Sequence, residues 1–166
     1  MRATLGPVPE PSVFERIRQL LDSRGIAYRV VEHGPTRTSE ESARARGEPL
    51  RVGGKALVLS VDGAFHLLVL SAASKLDSRA IRRHLGAKKT RFATRDELLE
   101  LTGLEPGAVP PFGEPILALP LHVDEALCAN ERIAFNAGSL TASIIMEMPD
   151  YLGIASPDIF RFASEG

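Results

Sequence analysis

The segment GGKALVLSVDGAFHLLVLS, residues 53–71, decides the fold of this 166-residue chain. Its two apolar runs, 55–61 and 65–71, are rich in Val and Leu and predict two β-strands. Asp62 and Gly63 lie between these runs and are typical of a two-residue hairpin turn. We therefore expect an antiparallel β-hairpin that begins directly after two glycines.

Helical and strand patterns continue on both sides of this hairpin. Capping residues precede the helical repeats and glycines follow them, which marks where each helix begins and ends. Strand pairs late in the chain favour antiparallel pairing. We expect an α+β fold, in which an antiparallel-dominated mixed sheet curls into a barrel-like shape and is surrounded by helices. The expected helices are 13–24, 38–47, 77–85 and 94–103, with a turn or short helix at 124–127, and the other expected strands are 26–31, 90–93, 116–123, 132–136 and 143–148.

The composition is that of an ordinary globular protein, with 44% hydrophobic and 25% charged residues. We expect one domain over residues 1–166, with an extended segment at residues 1–11 that contains three prolines. The single cysteine, Cys128, excludes a disulfide framework and a multi-cysteine zinc site. The four histidines are scattered without metal-ligand spacing, so we expect no metal and no other cofactor. No apolar run approaches the ~20 residues of a membrane helix and no signal-peptide pattern opens the chain, so the expected location is the cytoplasm.

Charge is distributed unevenly along the chain, although the formal net charge is −1. Residues 1–95 hold 18 Lys and Arg against 9 Asp and Glu, whereas residues 96–166 hold 2 against 12. The segment 79–95 contains no carboxylate. Such a run is compatible with a solvated surface or with a phosphate-binding patch. The candidate phosphate ligands within it are Arg79, Arg82, Arg83, Lys88 and Lys89.

Lys55 is the first candidate functional residue. Gly53 and Gly54 precede it, and glycine lets a backbone approach another group closely. One interpretation is a gatekeeper lysine that discourages aggregation at a strand edge. The other is a functional ammonium group, and both interpretations stay open at this point.

The segment TGLEPGAVPPFG, residues 102–113, predicts a rigid turn. The turn would present the backbone N–H groups of Gly107, Ala108 and Val109. It is either a tight connector or a cradle for an anion or a carbonyl oxygen.

The strand end IAFNAGS, residues 133–139, carries the short polar residues Asn136, Gly138 and Ser139. They suit a ligand's amine or hydroxyl group, and they also suit an ordinary turn.

In this order, these segments resemble the YbaK/ProX family of aminoacyl-tRNA deacylases, which are related to the editing domain of bacterial prolyl-tRNA synthetases. The resemblance covers residues 26–162 and includes three further motifs. They are EHGPTRT at 32–38, KLDSRAIRRHLGAKK at 75–89 and VDEAL at 123–127.

The resemblance implies trans-editing, which is the hydrolysis of the ester that joins a wrong amino acid, a small one such as Ser, Thr, Ala or Cys, to the 3′-adenosine of tRNA. Asn136 and Ser139 could pair with a substrate hydroxyl, which favours Ser or Thr over Ala. The phosphate ligands named above within residues 79–89 then become candidate tRNA ligands. It implies mischarged tRNA as the partner, with proline tRNA as an expected acceptor, a transient complex with a prolyl-tRNA synthetase, and a monomer or weak homodimer. The family's functional lysine falls on Lys55, and its glycine-to-proline loop falls on residues 107–111. The implied substrate-binding residues are His33, Thr36, Pro111, Phe112, Asn136, Gly138 and Ser139.

Two departures from the alanyl-tRNA-editing members put alanine specificity in doubt. Those members carry a histidine where this chain has Asn136, and often an asparagine where it has Ala56. The residues include no evident general base or nucleophile, so the expected scheme is a positioned water, assisted by the free ribose hydroxyl as the resemblance suggests. Two alternatives stay open: a non-catalytic tRNA-binding or regulatory module, and an enzyme in which Lys55 forms a Schiff base with a free carbonyl substrate.

Overall fold

A computed structural model describes residues 10–36 and 38–165 of the chain. Most of the expected segment 1–11 lies outside these residues. Six helices and ten strands are assigned within them. The helices are α1 (Val13–Ser23), α2 (Ser39–Arg46), α3 (Ser78–Leu85), α4 (Arg95–Thr102), α5 (Glu125–Cys128) and α6 (Met148–Ala155). The strands are β1 (Tyr28–Glu32), β2 (Gly54–Val61), β3 (Ala64–Ser71), β4 (Ser74–Leu76), β5 (Thr90–Phe92), β6 (Leu121–Asp124), β7 (Arg132–Asn136), β8 (Ala142–Glu147), β9 (Asp158–Phe160) and β10 (Ala163–Glu165).

The expected hairpin is confirmed as the antiparallel pair β2–β3, which runs from Gly54 opposite Ser71 to Val61 opposite Ala64. Asp62 and Gly63 both have positive φ angles, as a two-residue hairpin turn requires. The hairpin lies inside a five-stranded sheet with the order β5-β2-β3-β6-β9. In this sheet β6 pairs in parallel with β3 and β9, so the expected mixed sheet is confirmed.

The expected barrel-like curl is wrong. The described strands form three separate sheets, and none of them closes on itself. The five-stranded sheet ends at β5 and β9, each of which has one neighbour, while β1-β8-β7 and β10-β4 form sheets of their own. Closure would need a hydrogen-bonded partner along the outer edges, and the three-residue strands β5 and β9 do not provide one.

Local capping signals place the helices where they were expected. Ser12 accepts a hydrogen bond from the Glu15 N–H, and Thr38 accepts one from the Glu41 N–H. Thr94 and Glu97 form a complete capping box at the start of α4. These side chains satisfy backbone donors that the first helical turn leaves without partners.

Two parts of the C-terminal half differ from the expectation. Residues 116–120 were expected to be in a strand, but the amides of Ile116 and Leu117 both donate to the Gly113 carbonyl in a turn. The strand begins at Leu121 instead, directly after a proline that lacks an N–H. The sequence analysis predicts neither helix α6 nor the short strands β4, β9 and β10. The strands were missed because three residues carry little periodic signal.

The main core lies between the five-stranded and three-stranded sheets and is covered by α1 and α6. The two sheets meet at the start of β2, where Gly53 forms a bridge with Ala134 of β7. A Cβ atom on Gly54 would lie 2.8 Å from Cδ1 of the fully buried Ile133. The close backbone approach that the glycine pair predicts is therefore confirmed.

Three of the four histidines, which are distant in sequence, lie together on the other face of the five-stranded sheet. His66 Nδ1 lies 2.8 Å from His122 Nε2, and His122 Nδ1 lies 2.8 Å from Asp158 Oδ2. His84 Nε2 reaches the same Asp158 oxygen at 3.1 Å. The ring nitrogens thus bond to one another and to a carboxylate, and no group of three metal ligands occurs among the described residues. Within the same residues, no helix has the length and apolar character needed to cross a membrane.

Gly54→Ala is expected to lower the free energy of unfolding by about 1–3 kcal/mol, because the added methyl group must displace a packed side chain. At ~2–4 °C per kcal/mol, the loss is visible as a lower Tm in a calorimetric or circular-dichroism melt. Gly153→Ala is the matched control, because a Cβ there meets nothing within 4 Å and the residue is in an exposed part of α6. The control should keep or raise the Tm. A wild-type Tm for Gly54→Ala would contradict the close approach.

Candidate functional site

A cavity of about 190 Å³ opens at the start of β2, where the two larger sheets meet. Three separated segments line it: the 36–46 region, residues 53–57, and the 107–109 part of the proline-rich loop, joined by Asn136 at the end of β7. The structure therefore brings together Lys55, Gly107, Val109, Thr36 and Asn136 from the expected site. The full lining is Thr36, Thr38, Ser39, Ser42, Arg46, Gly53, Gly54, Lys55, Ala56, Leu57, Ala72, Gly107, Val109 and Asn136.

Lys55 is half-buried, and its Nζ atom donates to the Ser74 carbonyl at 3.2 Å. Burial lowers the pKa of its ammonium group, and the negative charge of Glu40 partly opposes this effect. Among the described residues, no carboxylate forms an ion pair with Lys55. The ammonium group carries three donors, so it keeps donors for an anionic or carbonyl oxygen in the cavity.

Two residues of the proline-rich loop line the cavity and have backbone N–H groups that no described residue accepts. The N–H groups of Gly107 and Val109 find no acceptor in the described part of the chain, and both residues line the cavity. Ala108 differs, because its N–H donates to the Glu105 carbonyl at 3.1 Å and its side chain is buried. Gly107 has a φ of +88°, which a residue with a Cβ atom rarely adopts. Of the three expected amide donors, two are thus available and one is used within the loop.

The far end of this loop is anchored in the core rather than in the cavity. The Pro111 carbonyl accepts a hydrogen bond of 2.7 Å from the buried Tyr151 hydroxyl. Phe112 is only 2% exposed and makes edge-to-face contacts with Phe135 and Tyr151. Pro111 and Phe112 therefore hold the loop in place and do not line the cavity.

Asn136 connects the loop to a buried polar cluster. Its Nδ2 atom donates to the Gly107 carbonyl at 2.8 Å, and its Oδ1 atom accepts from Arg46 Nη2 at 3.0 Å and from Ser143 Oγ at 3.1 Å. Arg46 Nε also donates to Ser143 Oγ at 2.9 Å. Both polar ends of the Asn136 amide are therefore occupied by protein groups.

Sequence reasoning missed Arg46, although it lines the cavity and is 8% exposed. The surrounding helix α2 is so polar that it has no apolar stripe, and an arginine in it is easily taken for a solvated residue. The signal available was its spacing from Ser42, because residues four positions apart lie on the same helix face. Both side chains are buried.

Three further expected substrate-binding residues lie outside the cavity. His33, Gly138 and Ser139 line a neighbouring depression instead. His33 Nε2 lies 2.9 Å from Ser143 Oγ, which places the ring behind the polar cluster. A Cβ atom on Gly138 would lie 2.7 Å from Cγ1 of Val13, so this glycine permits packing against α1.

The basic segment forms a groove at the other end of β2. The Asp62 carboxylate accepts hydrogen bonds from the N–H groups of Lys88 and Lys89 at 3.1 and 2.8 Å, and these bonds lower the pKa of Asp62. Arg79 and Arg83 are exposed on α3 and do not line the groove. Arg91 of the groove is bound to Glu97. The groove lining is Ser60, Asp62, Gly63, Arg82, Lys88, Lys89, Thr90 and Arg91.

The chain resembles several known proteins. The profile of the aminoacyl-tRNA editing domain matches residues 33–154. The chain is 37% identical over 154 residues to the multifunctional Ser/Thr-tRNA deacylase ProXp-y of Escherichia coli, covering 89% of this chain and 91% of that protein. It is 28% identical over 135 residues to the prolyl-tRNA editing protein ProX of Acetoanaerobium sticklandii, covering 78% and 82%. A crystal structure described as that of a candidate trans-editing enzyme for prolyl tRNA synthetase matches with a TM-score of 0.79 at 29% identity, covering 98% of this chain and 100% of that one.

Proposed function

This chain belongs to the aminoacyl-tRNA editing domain family, and from that premise we propose that it is a trans-editing deacylase of tRNA mischarged with Ser or Thr. It is a hydrolase that acts on the aminoacyl ester. The observation that carries the proposal is the cavity that Lys55 lines together with Gly107 and Val109, whose backbone N–H groups have no acceptor in the described part of the chain. The Escherichia coli relative, which is named for Ser/Thr-tRNA deacylation, supports the choice of amino acids.

The reaction requires water to add to the ester carbonyl carbon. A tetrahedral oxyanion forms, and the bond from that carbon to the ribose oxygen then breaks, which releases the free amino acid and a tRNA with a free ribose hydroxyl. Donors aimed at the oxyanion stabilise it more than the neutral ester. The Gly107 and Val109 N–H groups serve as these donors, and Lys55 adds a positive charge near the ester or the terminal phosphate.

The cavity lining supports a mechanism without a protein base or nucleophile. None of its described lining residues is a His, Cys, Asp or Glu. An aminoacyl ester is reactive enough for positioning and oxyanion stabilisation to suffice. The attacking group is therefore a positioned water, and the free ribose hydroxyl of the substrate assists its deprotonation. Lys55 acts as a charge and forms no imine.

Recognition of a substrate hydroxyl falls to Thr36 and Ser42 in this proposal. Both side chains line the cavity, and Ser42 Oγ donates to Thr36 Oγ1 at 2.9 Å. Asn136 is expected to share this role: its Oδ1 accepts from Arg46 and Ser143, but only one of its two Nδ2 hydrogens is used, in the bond to the Gly107 carbonyl. Ser139 lies in the neighbouring depression. A site whose buried polar groups bond to a substrate hydroxyl discriminates strongly against an amino acid that lacks this hydroxyl.

The basic groove suits the body of the tRNA. Lys55 and Asp62 are seven positions apart along β2, so the groove lies ~23 Å from the cavity at ~3.3 Å per residue. A tRNA with its 3′-terminal adenosine in the cavity would therefore lay its acceptor-strand phosphates along Arg82, Lys88 and Lys89. Arg79 and Arg83 extend the same positive surface on α3.

The remaining partner proposals rest on the family. Proline tRNA is the proposed acceptor, and a prolyl-tRNA synthetase is the proposed transient partner, because the matched relatives are named for prolyl-tRNA editing. The cytoplasm, where tRNA is charged, is the proposed location, and a monomer or weak homodimer is the proposed assembly.

A deacylation screen tests the substrate proposal. Proline tRNA charged with Ser, Thr or Ala is mixed with the protein, and the remaining ester is followed in time. Ser and Thr esters should be hydrolysed at least tenfold faster than the Ala ester, because only they complete the Thr36–Ser42 pair. Faster turnover of the Ala ester than of both others would contradict the pocket assignment. Binding of tRNA without hydrolysis of any ester would identify a non-catalytic module instead.

Lys55→Ala should reduce single-turnover deacylation by ~10²–10³-fold, the usual loss for one group that stabilises a transition-state charge. Lys55→Arg should restore this only in part, because a planar fork differs from a compact charge. The Tm should change by no more than a few degrees. Lys75→Ala is the control, since Lys75 is an exposed lysine on the nearby strand β4. Activity of Lys55→Ala within threefold of wild type, with a normal melt, would favour the gatekeeper interpretation.

Reversing Arg82 and Arg83 to Glu should weaken tRNA binding and make the affinity less dependent on salt, because fewer counterions are released. The Tm should stay nearly constant, since surface substitutions usually change stability by less than about 0.5 kcal/mol. Filter binding at several salt concentrations measures both quantities. Arg24→Glu reverses an exposed charge outside the groove and should change affinity little. Equal affinity of the double variant and wild type at low salt would eliminate the groove as a tRNA contact.

A further inference from the structure

We infer that Arg46 is a positioning residue of the cavity, which acts through Asn136 to fix the Gly107–Ala108 peptide and hence the two backbone donors beside it. The inference rests on the proposed deacylase function. It adds a residue that touches no reacting atom. Its support comes from the hydrogen-bond geometry behind the cavity wall.

Arg46 is a buried cation, and no carboxylate of residues 10–36 or 38–165 forms an ion pair with it. The nearest acid along the chain, Glu48, is bound instead to Arg29 at 3.1 Å and to Arg132 at 2.7 Å. Burial lowers the pKa of Arg46 to about 10, an effect that Glu48 opposes, so the guanidinium stays charged at neutral pH. A buried charge that only neutral partners hold loses the free energy of its hydration and gains no ion pair in return. Fold stability alone therefore does not account for this arginine.

All three nitrogens of Arg46 donate toward β7 and β8: Nη1 bonds to the Ala134 carbonyl at 3.5 Å, and Nε and Nη2 form a planar fork. Nε donates to Ser143 Oγ at 2.9 Å, Nη2 donates to Asn136 Oδ1 at 3.0 Å, and these two acceptors lie 3.1 Å from each other. The fork therefore specifies which end of the Asn136 amide is the oxygen. A guanidinium has donors only, so it holds Oδ1 toward itself and leaves Nδ2 facing the loop.

Asn136 Nδ2 then donates to the Gly107 carbonyl at 2.8 Å. The N–H of the same peptide unit, which belongs to Ala108, donates to the Glu105 carbonyl at 3.1 Å. A peptide unit is planar, so bonds at both ends fix its orientation. The free N–H groups of Gly107 and Val109 flank this fixed unit on either side. Arg46 thus preorganises the donors that an oxyanion would meet.

A double-mutant cycle tests this assignment with variants that preserve the charge at position 46. Arg46→Lys keeps the cation but loses the fork, and Asn136→Ala removes the bond to Gly107. Each single variant should lower kcat at least tenfold with less than a threefold change in KM, because a small displacement of oriented groups is costly to the reaction. The double variant should be no slower than the slower single variant, since both changes break one chain of contacts. Arg44→Lys, an exposed substitution on the same helix, is the matched control.

Hydrogen exchange of the free protein supplies a second readout. The Ala108 amide should exchange at least tenfold faster in Arg46→Lys and in Asn136→Ala, while amides of β2 and β3 stay at wild-type rates. Exchange that rises throughout β7 and β8, together with a lower Tm and an unchanged kcat, would overturn the inference in favour of a purely structural role. Wild-type kcat in Arg46→Lys would overturn it as well, because charge without the fork would then suffice. If the wild-type protein hydrolyses no aminoacyl-tRNA, the proposed function fails, and the exchange of Ala108 still decides what Arg46 does to the loop.

Discussion

The close approach of bare backbone at Gly53 and Gly54 is the constraint on which this site depends. The missing side chains let the start of β2 touch β7, with Gly53 bridged to Ala134 and Gly54 against Ile133. Lys55 follows Gly54 by one residue, and Asn136 follows Ala134 by two residues at the end of β7. Two sheets that share no continuous ladder are therefore joined at one point, and the cavity opens there. Any side chain at the junction would separate the walls as well as weaken the core.

Local sequence signals predict much of this fold, and contacts between distant segments decide the rest. The hairpin around Asp62 follows from alternating apolar runs and turn chemistry, and the helix starts follow from caps such as Thr94. The prediction of a barrel-like closure was wrong, because closure depends on which distant strands pair. The outer edges of β5 and β9 have no hydrogen-bonded neighbour strand among the described residues. The apolar residues at 116–120 favour a strand, but Ile116 and Leu117 form a turn in which their N–H groups donate to the Gly113 carbonyl.

The site divides in the same way. Lys55 and the 107–109 turn were recognisable because lysine after two glycines and a dense run of Gly and Pro are uncommon locally. Arg46 was not, because its importance comes from partners 90 and 97 positions away. The loop motif predicts that Phe112 binds substrate, but its side chain is buried in the core, where it packs against Tyr151. Local sequence patterns identified the segments of the site. Tertiary contacts decide which residues of each segment line the cavity and which hold the segment in the core.

The charged side chains among the described residues that line the cavity are both cationic. Two cationic side chains, Lys55 and Arg46, border a space whose other polar lining is neutral, while Glu40 influences Lys55 only through its charge. Such a space attracts negative charge as it develops and keeps it away from water. The acidic half of the chain contributes Gly107, Val109 and Asn136 to this lining but no Asp or Glu side chain.

The peptide unit pinned between Asn136 and Glu105 has an evolutionary consequence. The proposed reaction donors are main-chain atoms, which cannot be deleted by replacing a side chain, so mutation can change them only through the conformation of Gly107 and the groups that hold the loop. Residues such as Thr36 and Ser42, in contrast, can be exchanged without touching those donors. A scaffold built in this way separates the chemistry from the choice of substrate, and descendants can acquire new amino-acid preferences while inheriting the same reaction.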